Sequence, residues 1–187
     1  MKQPNPLTLT LGTLSILATT VFSSQSIQFP DGRVAFAKSP RLVNAVTTYD
    51  NVGVSVAKYY FTVELPANAE EPLGQVTIKQ RQGIEDIDFR LDKTLAFVGK
   101  PRQRRENVTI QNVSKDEETN GINVTFDPPI APGTTFTVGL KPRRNPDYPG
   151  IYLFGVTAFP VGEQPYGLYL GVGRLHFYNS HDGFIFR

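Results

Sequence analysis

From about residue 58 onward, apolar and polar residues alternate one for one in run after run, and this period of two constrains the fold more than any other feature. In "KYYFTVEL" it sets Tyr59, Phe61, Val63 and Leu65 on one face and Lys58, Tyr60, Thr62 and Glu64 on the other. "GQVTIKQ" turns Val76 and Ile78 inward, and "DIDFRLD" sets Ile87, Phe89 and Leu91 against Asp86, Asp88, Arg90 and Asp92. "NVTIQNV" places Val108 and Ile110 on one side. "INVTF", after an Asn120-Gly121 turn signal, gathers Ile122, Val124 and Phe126. "PPIAPGTTFTVGL" is a Pro-Gly turn feeding a strand with Phe136, Val138 and Leu140 inward. No later window carries a helical period, and "PANAEEPLG" (66–74) holds one helical turn at most. With 16 Gly and 15 Pro as punctuation, the pattern predicts an all-β fold, an immunoglobulin-like β-sandwich. The likeness is architectural, because the Cys–Trp–Cys core of antibody domains needs two residue types that the chain lacks.

A sandwich of this kind needs no staple. The 187 residues suffice to bury a core, and the absence of Cys removes disulfides, thiolate metal sites and a Cys nucleophile together. The net charge of +2 is too small to argue for nucleic acid as a partner. Ahead of the alternating region, Lys2 and the mostly apolar run Leu7–Phe22 form an N-terminal signal segment, followed by "SSQS" with Ser24 and Ser26 as the small residues cleavage requires. The expected organisation is a signal peptide at 1–26 and one β-sandwich domain at 27–187, exported to the periplasm or beyond. No membrane span is expected after cleavage, since no other stretch is long and apolar enough.

The C-terminal third, "FDPPIAPGTTFTVGLKPRRNPDYPGIYLFGVTAFPVGEQPYGLYLGVGRLHFY", together with "SPRLVNAVTT", "YYFTVELPANAEEPL" and "TLAFVG", resembles a family of secreted cyanobacterial proteins catalogued as a domain of unknown function. The resemblance covers essentially all of the chain beyond the signal segment. It implies export from a cyanobacterial cell and a β-sandwich, and it brings no catalytic residues.

Chemistry-bearing residues fall into a few groups. Gly171-Val172-Gly173 begins like a dinucleotide loop but lacks the third glycine and the following helix, so these glycines predict a bulge or the close approach of an aromatic. Alternation puts Arg174, His176 and Tyr178 on the wet face of a strand and Leu175 and Phe177 on the dry one. His176 and His181 are the candidate ligands for a Cu or Zn ion, although Arg174 works against a cation there. Ser180-His181-Asp182 holds triad residue types in succession, but neighbouring side chains diverge along an extended backbone. Glu85, Asp86 and Asp88 show no paired acid–base spacing, so an enzyme is not expected.

Two basic loops remain. "GKPRQRRE" carries Lys100, Arg102, Arg104 and Arg105, and "KPRRNPDYPG" carries Lys141, Arg143 and Arg144 beside Tyr148. If they meet at one end of the sandwich they form a cationic patch for an envelope protein or an acidic polysaccharide. Tyr152, Tyr166, Tyr169 and Tyr178 are further candidates for a recognition surface. The three Asn-Val-Ser/Thr sequons at 107, 112 and 123 lie in strand-like runs and are read as strand residues. The resulting expectation is a non-enzymatic binding or assembly module of the cell envelope that needs no cofactor. Its candidate residues are Arg102, Arg104, Arg105, Arg143, Arg144 and Tyr148; the alternative is a periplasmic Cu or Zn carrier using His176 and His181.

Overall fold

The period of two becomes two antiparallel sheets in the computed structural model, which describes residues 27–28 and 32–179. The strands in chain order are β1 (Ile27–Gln28), β2 (Val34–Ala35), β3 (Arg41–Thr47), β4 (Tyr59–Glu64), β5 (Leu73–Gln82), β6 (Leu95–Val98), β7 (Ile110–Lys115), β8 (Ile122–Ile130), β9 (Thr135–Leu140), β10 (Gly150–Pro160) and β11 (Leu168–Phe177). One sheet has the order β11-β10-β5-β8-β7 and the other β3-β4-β9-β6, while β1 and β2 pair separately. The two large sheets form an immunoglobulin-like sandwich. The single helical turn at Ala67–Ala69 lies where "PANAEEPLG" allows it.

The inward sets of β4, β5, β8 and β9 are those the alternation names, and β10 adds Tyr152, Phe154 and Val156. Tyr59, Phe61, Val63, Phe136, Val138 and Leu140 are fully buried on the four-stranded sheet; Val76, Ile78, Val124, Phe154 and Val156 face them from the five-stranded one. Each such side chain contributes about 1.5–3 kcal/mol by leaving water. The aromatic rings meet edge to face, Phe154 with Tyr59 at 6.0 Å and with Phe61 at 5.6 Å. Burial, with the nearby Tyr152 and Glu85 adding to it, drives the Tyr59 phenol far above its ordinary value of 10.0. Its neutral form therefore stabilises the fold fully below pH 10, and that contribution falls as pH rises past 10, where only the unfolded chain ionises. The melting temperature should drop between neutral and strongly alkaline pH, with a shallower drop in Tyr59→Phe. An equal drop in both proteins would refute this origin.

One expected strand is absent. Residues 86–92 form no ladder: Phe89 makes a single antiparallel bridge with Pro142, and Leu91–Lys93 is a short 3-10 turn. This segment crosses from β5 in one sheet to β6 in the other, and Pro142 has no N–H to extend a pairing. The alternation still has its use, because Ile87, Phe89 and Leu91 pack against the core and the Phe89 ring lies 5.7 Å from Tyr59.

The two glycines of the last strand do different work. Gly171 has φ +118° and lies at the bulge where the β10–β11 register shifts. Gly173 faces the opposite sheet: a Cβ there would sit 2.5 Å from Ala45 Cβ and 3.2 Å from Phe61 Cε1. Its bareness lets β11 close against β3 along one side of the sandwich. Two further strands at sheet edges, β3 between Leu42 and Asn44 and β7 between Ile110 and Asn112, are also bulged, and the last edge strand, β6, is four residues long.

Candidate functional site

The 141–150 loop is held from beneath by one amide. Asn145, 2% exposed, accepts a hydrogen bond from Tyr59 Oη (2.9 Å) at Oδ1 and donates through Nδ2 to the carbonyls of Tyr49 (2.9 Å) and Asn51 (2.8 Å). Its backbone N–H reaches the Val54 carbonyl, and Gly53 N–H donates to the Pro146 carbonyl. Every hydrogen-bonding atom of that buried amide oxygen and nitrogen faces a partner, as a buried polar group requires. Glu85 Oε1 accepts the N–H groups of Asp147 (2.5 Å) and Tyr148 (3.1 Å), fixing the second half of the loop. The basic residues here have separate tasks. Lys141 Nζ donates to the carbonyls of Ser55 and Ala57, which makes it a tie to the segment that leads into β4. Partial burial, then the Arg90 and Lys58 charges, hold its ammonium below the ordinary lysine range. Arg144 pairs with Asp147 at 2.5 Å, both exposed, a contact worth at most about 1 kcal/mol. Arg143 is exposed with no ion-pair partner among the described residues.

Three exposed tyrosines share this end of the sandwich: Tyr49 (51%), Tyr148 (58%) and Tyr178 (48%). Tyr178 is tied to the same segment, its N–H donating to the Asp50 carbonyl and its carbonyl accepting from Val52. Tyr152 belongs to the core instead, its hydroxyl donating to the Tyr148 carbonyl. Tyr166 lies under Arg33, 5.2 Å from the guanidinium carbon.

The two basic loops do not meet. The 99–106 loop follows β6, whose last residue Val98 pairs with Phe136, and Gly99 N–H donates to the Thr135 carbonyl. The 141–150 loop leaves β9 after Leu140. The loops thus sit at opposite ends of the six-residue β9, about 20 Å apart at ~3.3 Å per residue, and the joint cationic patch expected from their sequences is not formed. Arg104 also lies against the protein, its guanidinium 5.0 Å from the Phe97 ring and donating to Asn107 Oδ1. Arg102 and Arg105 are exposed.

His176 is exposed on β11 opposite Ile151, and its ring stacks on Tyr178 at 6.4 Å, the wet-face placement that alternation gives it. His181, and with it Ser180 and Asp182, lies outside the described residues, as does the signal segment 1–26. Among the described residues no three His, Asp or Glu side chains gather closely enough to hold a metal. A recess of about 320 Å³ opens between β5 and the crossing segment, with Ile78, Ile122 and Phe154 at its apolar lining and Asp86, Asp88 and Lys115 among its polar groups. No helix among the described residues is long and apolar enough to cross a membrane.

Asn145 has no mark in the sequence, where it reads as one more polar residue in a turn-rich run. Its partners come from residues about ninety positions upstream, so no local pattern announces them.

Comparison with solved structures gives several low-identity likenesses. The collagen adhesin of S. aureus is 16% identical with a TM-score of 0.39, over 73% of this chain and 50% of that one, so the chain spans about half of the adhesin's length. The 35 kDa C-terminal fragment of the major pilin GBS80 of Streptococcus agalactiae is 9% identical with a TM-score of 0.46, over 75% and 56%. ACE19, the collagen-binding subdomain of an Enterococcus faecalis surface protein, is 10% identical with a TM-score of 0.42, over 72% and 94%. No curated protein matches the sequence. A family model described as "Protein of unknown function (DUF2808)" matches residues 33–177. That match runs from the start of β2 to the end of β11 and takes in both large sheets, and the chain belongs to the DUF2808 family.

Proposed function

We propose that the protein is an exported, non-enzymatic binding or assembly module of the cell envelope, working in the periplasm or outside the cell, and that it recognises an envelope protein through the end of the sandwich built by the 141–150 loop. The observation that carries this reading is the Asn145 lock. It fixes a loop whose outer side presents Arg143, Arg144 and Tyr148, with Tyr49 and Tyr178 exposed at the same end. Tyrosine and arginine are enriched among the residues that dominate protein interfaces, and a rigid backbone beneath them lowers the ordering cost of binding. Arg102 and Arg105 at the opposite end stand apart from this surface.

A photo-reactive side chain at position 148, introduced in the living cell, should cross-link to one defined envelope protein. The adduct should fall at least tenfold when Arg143 and Arg144 are both changed to Ala, with the melting temperature unchanged because both side chains are exposed. The same adduct formed equally well from position 102, or surviving loss of both arginines, would remove the loop from the reading.

A further inference from the structure

The outward face of the five-stranded sheet has a composition unlike the rest of the surface. The adjacent strands β11, β10 and β5 carry Lys79, Arg81, Arg174 and His176 and not one Asp or Glu. Lys79 has Asp116 within electrostatic reach from the β7–β8 turn, whereas Arg81 and Arg174 are exposed and have no ion-pair partner among the described residues.

At the centre of the face, Gly155 lets two side chains close down on the backbone. A Cβ on Gly155 would meet Arg81 Cγ and a Tyr169 ring carbon, Cε2, both at 3.1 Å. The arginine stem and the tyrosine ring therefore lean in from opposite sides over Gly155. Tyr169 is 53% exposed, and Val172, directly across from Gly155 on β11, is 47% exposed. Arg174 lies across from Leu153, the next outward position of β10. On the other flank, amides and hydroxyls form a ladder across β5 and β8. Thr77 Oγ1 donates to Asn123 Oδ1 at 2.6 Å, while the Gln75 contacts to Thr77, Asn123 and Thr125 are all stretched to 3.5 Å. Gln75 thus keeps hydrogen-bonding capacity to offer outward. From Tyr169 to the ladder is two to three strand spacings, about 10–15 Å at ~4.8 Å each, the reach of a short oligosaccharide.

We propose that this face binds an acidic polysaccharide. A sugar ring lies on Tyr169 where that ring packs beside Arg81 over Gly155, its carboxylate is taken by Arg81 and Arg174, and the hydroxyls of neighbouring sugars bond to the Gln75–Asn123 ladder. An aromatic ring provides the flat apolar platform, and a planar guanidinium fits a carboxylate in two-point fashion. Over β11, β10 and β5 the charge is positive throughout, with Asp127 at the far end of β8 as the acidic residue of the ladder strand, and this balance favours a polyanion. The amide and hydroxyl ladder suits a hydroxyl-rich ligand better than the apolar centre of a protein interface. This site is separate from the 141–150 surface and does not depend on it.

Electrophoresis of the protein through gels containing polygalacturonate, or neutral dextran as control, tests the assignment. Polygalacturonate should retard the protein and dextran should not. The Arg81→Ala/Arg174→Ala variant should bind at least tenfold more weakly, and Tyr169→Ala should lose about as much, each with an unchanged melting temperature. Arg143→Ala/Arg144→Ala should bind polygalacturonate as the unaltered protein does, which keeps the fate of this proposal separate from that of the loop. Equal retardation by dextran, or undiminished binding by the Arg81→Ala/Arg174→Ala variant, overturns the proposal. A photo-reactive group at position 172 that yields only protein adducts in the cell overturns it as well and assigns the face to a protein partner.

Discussion

Asn145→Ala is expected to destabilise the protein by about 2–4 kcal/mol, lowering its melting temperature by roughly 10 °C. The change removes one amide and strands three groups together: the buried Tyr59 hydroxyl and the carbonyls of Tyr49 and Asn51. The Tyr59 hydroxyl is buried and costs about 1–3 kcal/mol when left without a partner, while the carbonyls of the exposed Tyr49 and half-buried Asn51 add less. Asn145→Asp should be no better, since a carboxylate cannot donate to the two carbonyls and would bring an uncompensated charge into a buried position. Urea denaturation reads the loss directly. A change under about 1 kcal/mol for Asn145→Ala would mean that water replaces the amide without cost, and that the loop is not locked from below.

The second large effect is steric. Gly173→Ala should cost about 3 kcal/mol, at the upper end for overpacking, because the added carbon meets Ala45 Cβ, which has no rotamer by which to retreat. The decisive measurement is the double change. With Ala45→Gly in the same protein much of the loss should return, giving a coupling of about 1–2 kcal/mol between residues that touch across the sheets. Gly171→Ala makes the contrast. Nothing lies within 4 Å of its would-be Cβ, so any loss there comes from the φ of +118° and Ala45→Gly should leave it uncorrected. Additive behaviour of Gly173→Ala and Ala45→Gly would show that β11 and β3 are not in close contact.

The inward faces of β4, β5, β8, β9 and β11 were legible because burial on a pleated ribbon repeats every second residue, as Tyr59, Phe61, Val63 and Leu65 show. The same signal misleads at 86–92, since alternation reports that one side of a segment is covered and says nothing of whether its backbone has a ladder partner. Ile87 and Phe89 are covered all the same. Placing the basic loops required knowing that β6 pairs antiparallel with β9, a long-range fact that sends Arg104 and Arg143 to opposite ends. The glycine pair suggested a bulge or the close approach of an aromatic; Gly171 marks a bulge, and Gly173 is approached first by Ala45 and then by the Phe61 ring. Gly155 gave no such hint: its meaning comes from Arg81 and Tyr169, which arrive from the strands on either side.

The bulges described in β3, β7 and β11, with the shortness of β6, bear on how such a molecule behaves when many copies crowd together. Every outermost strand of the two large sheets is either kinked or too brief to offer a straight row of free N–H and C=O groups. A sandwich with clean rims would be a template on which a second copy, or an unfolded neighbour, zips up indefinitely. Here the rims are blunted, so copies can be packed densely without fusing into fibres, and contact with other molecules is left to side chains on the faces and loops.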